Sequence, residues 1–273
     1  MALMVAAALT AGARASAQDG NGVYRTQFEN DWVRVVRVRY PANTRVRTHG
    51  HPSTVTTYVY LSESSPVRFT HHGGRTHVVT RRPTVPGAFR VSRGGDETHE
   101  AENLGPIASD FLRVELKTDP AGSASPFYRD QLRLGAAATT SSDVRFTNAQ
   151  LRITRVTAPG GHHVEVETSA SAPALLLALV DGTASVDGAT LQLKAGQERW
   201  IAPGRRERLT NTGPAPLELL RIDLLTPPRP GSAGDGARGQ CSCPARRLPS
   251  AGADSRAPSG GCRAHPPAAA AGC

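Results

Sequence analysis

Apolar and polar residues alternate over short distances along most of this chain, and the alternation changes phase at the same place in two separate segments. Val33 and Val35 flank Arg34, then Val36 and Val38 flank Arg37, so the apolar phase slips by one residue between Val35 and Val36. A period of two predicts a strand with successive side chains on opposite faces, and a one-residue slip predicts a β-bulge. Leu151 and Ile153 in one phase and Val156 in the other repeat the slip. Further short apolar runs at 56–61, 111–116, 175–180 and 217–224 are separated by Gly73-Gly74, Gly94-Gly95, Asp181-Gly182 and Asp187-Gly188. Many short strands, Gly-rich turns and no long segment of 3.6 periodicity predict an all-β chain of small antiparallel barrels or jelly rolls. One helical turn is expected at 128–134.

The pattern is written twice. Phe28, Asn30, Arg34, Arg37, Val38 and Pro41 recur 118 positions later as Phe146, Asn148, Arg152, Arg155, Val156 and Pro159. Asn103, Gly105, Pro106, Leu112, Arg113, Leu116, Thr118 and Pro120 recur 108 positions later, from Asn211 to Pro228, so the second copy is ten residues shorter in its middle. A repeat of this length predicts two tandem domains rather than a solenoid. The expected organisation is a first domain at 24–118, a linker at 119–143 and a second domain at 144–226. The ten extra residues are expected to lengthen the hairpin from His71 to Arg82.

The ends differ from this core. Residues 1–17 combine an apolar run from Ala2 to Leu9 with Ala15 and Ala17 in an A-x-A arrangement, which resembles a secretory signal peptide and predicts a periplasmic or secreted protein. No stretch reaches the ~18–20 apolar residues of a membrane span. Residues 229–273 are rich in Gly, Ala, Pro, Ser and Arg and hold all four cysteines, Cys241, Cys243, Cys262 and Cys273. With so little apolar surface this tail is expected to be disordered. The net charge is +9, yet only Lys117 and Lys194 are lysine and the arginines are dispersed. Scattered arginine without a basic stripe argues against a nucleic-acid partner.

Chemistry is concentrated in the first copy. His49 and His51, in Thr48-His49-Gly50-His51-Pro52, stand two apart and share a face of a strand, and His99 can join them from a facing strand. Three imidazoles converging in a barrel mouth suit a divalent transition metal such as Fe, Mn or Zn with open positions for a small molecule. His71, His72 and His77 flank the Gly73-Gly74 turn and read as surface residues, and Glu97, Glu100 and Glu102 read as solvated carboxylates at a strand edge.

The H-x-H of His49 and His51, followed by the H-x-x-x-N of His99 and Asn103, resembles the two motifs of the cupin superfamily. Glu29-Asn30-Asp31-Trp32-Val33-Arg34-Val35, Ala101-Glu102-Asn103-Leu104-Gly105 and Val114-Glu115-Leu116-Lys117 are similar to segments of small bacterial cupins. The resemblance covers 24–118 closely and 144–226 more weakly, so the chain resembles a bicupin. It implies two tandem cupin-like jelly-roll barrels with a metal on His49, His51 and His99. In the cupin motif an acidic residue follows the H-x-H by three or four positions, where this chain has Thr54, Val55 or Thr56. The resemblance therefore implies either a three-histidine set, as in the thiol-dioxygenase branch, or a weakened site. In the second copy constant offsets bring Glu167 and Ser169 to the places of His49 and His51, and Glu207 to that of His99, so no metal site is expected there. Cupin barrels often pair through edge strands, which implies a homodimer or the same pairing met within one tandem chain.

Two functional readings follow. One is a metal-dependent enzyme with oxygenase- or isomerase-like action on a small molecule. The other is a non-catalytic module that binds a small ligand, with the second barrel, rich in leucine at 175–177 and 179, as a structural partner or a ligand pocket.

Overall fold

A computed structural model describes residues 22–95, 97–119, 128–131, 134–135 and 139–230. The segment resembling a signal peptide and the cysteines of the tail lie outside the described residues. Within them the chain is all-β. No helix among the described residues is long and apolar enough to cross a membrane.

The first copy supplies β1 (Tyr24–Glu29), β2 (Val33–Tyr40), β3 (Arg45–His51), β4 (Thr56–Tyr60), β5 (Val67–His72), β6 (His77–Arg81), β7 (Phe89–Ser92), β8 (Glu97–Asn103), β9 (Ser109–Leu116) and β10 (Tyr128–Asp130). They form a six-stranded sheet, β1-β2-β9-β4-β7-β10, and a four-stranded sheet, β3-β8-β5-β6. The second copy supplies β11 (Ser141–Thr147), β12 (Leu151–Ala158), β13 (His163–Glu167), β14 (Ala174–Ala178), β15 (Gly182–Val186), β16 (Ala189–Leu193), β17 (Glu198–Ile201), β18 (Arg206–Asn211) and β19 (Leu217–Leu224). They repeat the arrangement as β11-β12-β19-β14-β17 and β13-β18-β15-β16. Each copy is thus a jelly roll of two antiparallel sheets.

The expected bulge in β2 is absent. The β2–β9 ladder runs from Val33 opposite Leu116 to Tyr40 opposite Ser109 without a shift. The phase change has another cause, because both faces of β2 are buried, each in a different core. Val33 and Val35 join a cluster shared with Phe146, Leu151, Ile153, Leu175, Leu177 and Ile222 of the second copy, whereas Val36, Val38 and Tyr40 face the interior of the first barrel. In β12, Leu151 and Ile153 likewise enter the shared core and Val156 and Ala158 the second barrel. The bulges lie on the neighbouring edge strands instead, between Thr26 and Phe28 in β1 and between Val144 and Phe146 in β11.

The two large sheets therefore pack face to face across one apolar core. Each fully buried leucine or isoleucine there contributes about 1.5–3 kcal/mol. Leu175, Leu177 and Leu179 belong to this junction, and Leu176 alone of the four turns into the second barrel. The helical turn expected at 128–134 is replaced by β10 along β7, with Tyr128 opposite Val91. An extended backbone lets Tyr128 stack against Phe89 and Phe146 at 5.7 and 5.0 Å between ring centres, while Asp130, two residues on, accepts from Arg145 Nε at 2.8 Å. The extra residues of the first copy are spread over three connections, 61–66, 73–76 and 82–88, against 179–181, 187–188 and 194–197, rather than confined to the hairpin.

The Asn residues common to both copies are structural. Asn103 Nδ2 donates to the carbonyls of Tyr40 and Ile107 at 3.3 and 2.9 Å, and Asn211 Nδ2 donates to those of Ala158 and Ala215 at 2.8 Å each. Asn30 and Asn148 each accept two backbone N–H bonds from the turn that follows them. Such bonds satisfy buried backbone groups, which explains why these side chains persist where the histidines do not.

Candidate metal centre

β3 carries a bulge that its counterpart lacks. Val46 faces Ala101 on β8, but the next pair in register is His49 with His99, so three residues of β3 span two of β8. Val46 points into the barrel core. With regular alternation Thr48 and Gly50 would follow it inward, and the added residue gives those places to His49 and His51 instead. β13 pairs with β18 without interruption: Val164 opposite Leu209, Glu165 opposite Arg208, Val166 opposite Glu207. By strand pairing the counterpart of His49 is therefore Val166, 1% exposed, and not Glu167 as the constant offset implies. Glu207 accepts a 2.6 Å bond from Arg199 Nε. The described residues of the second barrel hold no cluster of metal-binding type.

In the first barrel His49, His51 and His99 come together, each offering a ring nitrogen within 4.8 Å of the others. The ring centres of His49 and His99 are 4.7 Å apart, as are those of His49 and His51, and His51 lies 5.0 Å from His99. His49 Nδ1 lies 2.8 Å from the carbonyl oxygen of Arg47. That oxygen can only accept, so the ring proton sits on Nδ1 and Nε2 is left as a donor lone pair. Tyr24 now uses it, its hydroxyl 2.5 Å from Nε2 and 3.0 Å from the Tyr40 hydroxyl. Burial, with Tyr40 alongside, raises the pKa of the Tyr24 phenol, so it donates as a neutral group.

His99 is 3% exposed, and neither ring nitrogen has an aligned hydrogen bond. Its Nδ1 stands 3.0 Å from the carboxylate of Glu97, within ion-pair range but off the hydrogen-bond axis. A carboxylate behind one nitrogen of an imidazole holds the proton there and leaves the other free for a metal. His71 approaches the same carboxylate at 3.4 Å, and His71, Glu97 and His99 make a second cluster of metal-binding type. At these ion-pair distances Glu97 acts as a bridge between two imidazoles. Burial opposes its ionisation, yet His99 holds its pKa down at about 2.

His51 is arranged differently. Its Nδ1 contacts Nη1 of Arg113, and a guanidinium only donates, so Nδ1 accepts and Nε2 is buried with no partner. Burial and the adjacent Arg113 push its pKa down to about 2, which keeps the ring neutral. His99 thus presents a free lone pair already, and His49 and His51 would join it by releasing Tyr24 and Arg113. The orphaned nitrogens of His51 and His99 and the all-imidazole donor set fit a divalent transition metal.

His51 and His99 open on a cavity of about 260 Å³ bordered by Tyr58, Tyr60, Phe69, Arg81, Arg90 and Phe111. The lengthened connections supply part of its wall through Ser64, Arg82, Pro83 and Thr84. Glu97 departs from the sequence expectation by facing this cavity. Glu100 and Glu102 stay on the outer face as expected, paired with Arg45 and Arg68. His71 also departs from its surface reading. The period of two on β8 places Glu97 on the same face as His99 and is a signal that could have found it. Tyr24, Arg81 and Arg90 lie on other strands, and nothing local in the sequence links them to the histidines.

No protein-family model and no curated protein matches the sequence. Solved structures do. AerE from Microcystis aeruginosa superposes with a TM-score of 0.53 at 12% identity, covering 74% of this chain and 91% of that one. The bacterial pirin YhhW from Escherichia coli, in complex with nickel(II), gives 0.52 at 14% identity, covering 80% and 90%. YhaK from Escherichia coli gives 0.50 at 14% identity, covering 73% and 90%. At such identities the likeness concerns the fold alone, an all-β chain of jelly-roll barrels.

Proposed function

We propose that the first barrel is a divalent-metal centre on His49, His51 and His99, and that the chain is an exported, metal-dependent enzyme acting on a small molecule with oxygenase- or isomerase-like chemistry. The observation that carries this reading is the bulge in β3, which brings His49 opposite His99 and gathers both with His51 into one cluster. A bound ion there supplies Lewis acidity and open coordination positions. The Arg47 carbonyl and the Glu97 carboxylate hold the Nδ1 protons of His49 and His99, and Tyr24 keeps a neutral phenol at the same point. The cavity beside them has room for a small substrate.

Elemental analysis of purified, metal-reconstituted protein tests the reading. Wild type and Glu207→Ala are expected to hold stoichiometric metal, and His49→Ala and His99→Ala to lose most of it. A second reading, a metal-free ligand-binding module, is favoured by the contact between Arg113 and Nδ1 of His51, which must break before that ring can ligate. Equal metal in all four proteins, or none in wild type, selects it.

A further inference from the structure

The cavity beside the histidines holds more buried positive charge than its own carboxylates offset. Arg81, Arg90, Arg113 and the exposed Arg82 and Arg129 line it, as does one carboxylate, Glu97. Glu97 is engaged by His99 and His71, and Arg113 pairs with Glu115 at 3.3 Å. Among the described residues Arg81 and Arg90 make no ion pair. Arg90, 6% exposed, donates Nε to the Tyr60 hydroxyl at 3.2 Å and lies 3.6 Å over the Tyr58 ring. Arg81 lies 4.5 Å over the Phe69 ring. A phenol and two ring faces attract a guanidinium without neutralising it. Burial and the neighbouring Arg90 both work against the charge on Arg81. Two cations withdrawn from water on one wall, with no counter-charge of their own, form a site that an anion completes.

The rest of the wall limits which anion. Tyr58, Tyr60, Phe69 and Phe111 give it aromatic faces, and its volume of about 260 Å³ falls below the ~300–1,000 Å³ of pockets for drug-sized ligands. Guanidinium groups present planar pairs of donors that match a carboxylate. We propose that the first barrel binds a small organic monocarboxylate, its anionic group on Arg81 and Arg90 and its apolar body against the aromatic wall, next to the histidine cluster. This names the substrate class for the site read above as catalytic, and rests on that reading only for the claim that the acid is a substrate.

Calorimetric titration of the full chain after removal of metal with EDTA separates the two ideas, because binding by arginine does not need the ion. Benzoate is expected to bind, with the neutral isostere benzamide and inorganic phosphate weaker by at least about tenfold. Arg81→Gln and Arg90→Gln are each expected to weaken benzoate by a similar factor. Arg81→Gln, at a position less buried than Arg90, should keep a cooperative thermal melt and the metal content of wild type. The comparison of benzoate with benzamide needs no variant, so a folding defect in Arg90→Gln leaves the test intact. Absence of benzoate binding, equal affinity for benzamide or phosphate, or benzoate binding unchanged in both variants overturns the proposal. Loss of the metal reading alone, with benzoate still bound through the arginines, leaves a carboxylate-binding module.

Discussion

His49 stands directly opposite His99 across the β3–β8 ladder, and the bulge immediately before it creates that pairing. In the second barrel the same rung joins Val166 to Glu207. The histidine cluster is therefore a property of strand register as much as of residue type.

Deleting Thr48 removes the extra residue and is expected to turn His49 and His51 to the outer face. Metal content should fall to that of His99→Ala while circular dichroism still reports a β-protein. Thr48→Ala keeps the residue count and loses only an exposed 3.0 Å bond to Glu100, so it should retain metal. Wild-type metal in the deletion variant would show that the register does not set the site.

The shared apolar core predicts that the two barrels unfold together. Leu177 is fully buried in it, and Leu177→Ala should cost about 2–5 kcal/mol. Trp32 and Trp200, from different copies, both pack on this core. Tryptophan fluorescence and far-ultraviolet circular dichroism should give one coincident urea transition in both proteins. Two separated transitions would refute a common core.

Asn103 sits in the metal-motif pattern but bonds only to backbone, as Asn211 does. Asn103→Ala and Asn211→Ala should each cost about 1–3 kcal/mol by leaving buried carbonyls without donors. Thermal melts check the loss. Metal content in Asn103→Ala should match wild type, whereas a drop comparable to His99→Ala would make Asn103 part of the centre.

Gly94, between β7 and β8, has φ +76°, and a Cβ there would come within 2.6 Å of the Thr54 carbonyl carbon. Gly94→Ala is expected to lower stability by roughly 1–3 kcal/mol through backbone strain. Gly95→Ala, where a Cβ meets nothing within 4 Å, serves as the control in the same melt. Equal melting temperatures would remove the argument.

Much of the fold was legible because it rests on local periodicity. The duplicated runs, the glycine turns and the absence of helical spacing point to jelly rolls before any coordinate is known. What the local pattern misassigned depends on packing between distant segments. The slip at Val35–Val36 looked like a bulge because one strand with two apolar faces and one bulged strand leave the same trace in a sequence. The bulge that matters, before His49, left none, because Arg47 and Thr48 are both exposed and resemble any polar pair. At the site the histidines were visible from their spacing. Glu97 was hidden by two other glutamates nearby that do face solvent, and the arginines by their dispersal over β6, β7 and β9.

The bulge in β3 also bears on how relatives of this chain should be compared. Strand faces are assigned by parity, so one inserted residue reverses the role of every position after it until the strand ends. Matching letters at 49 and 167 compares an inward place with an outward one, whereas Val166 and Thr168 hold the inward places. Histidines installed at Glu167 and Ser169 would decorate the surface. Two homologues with identical H-x-H motifs but one residue more or less ahead of them would differ in whether their imidazoles ever meet. A gap of one in an alignment here carries more functional information than most substitutions.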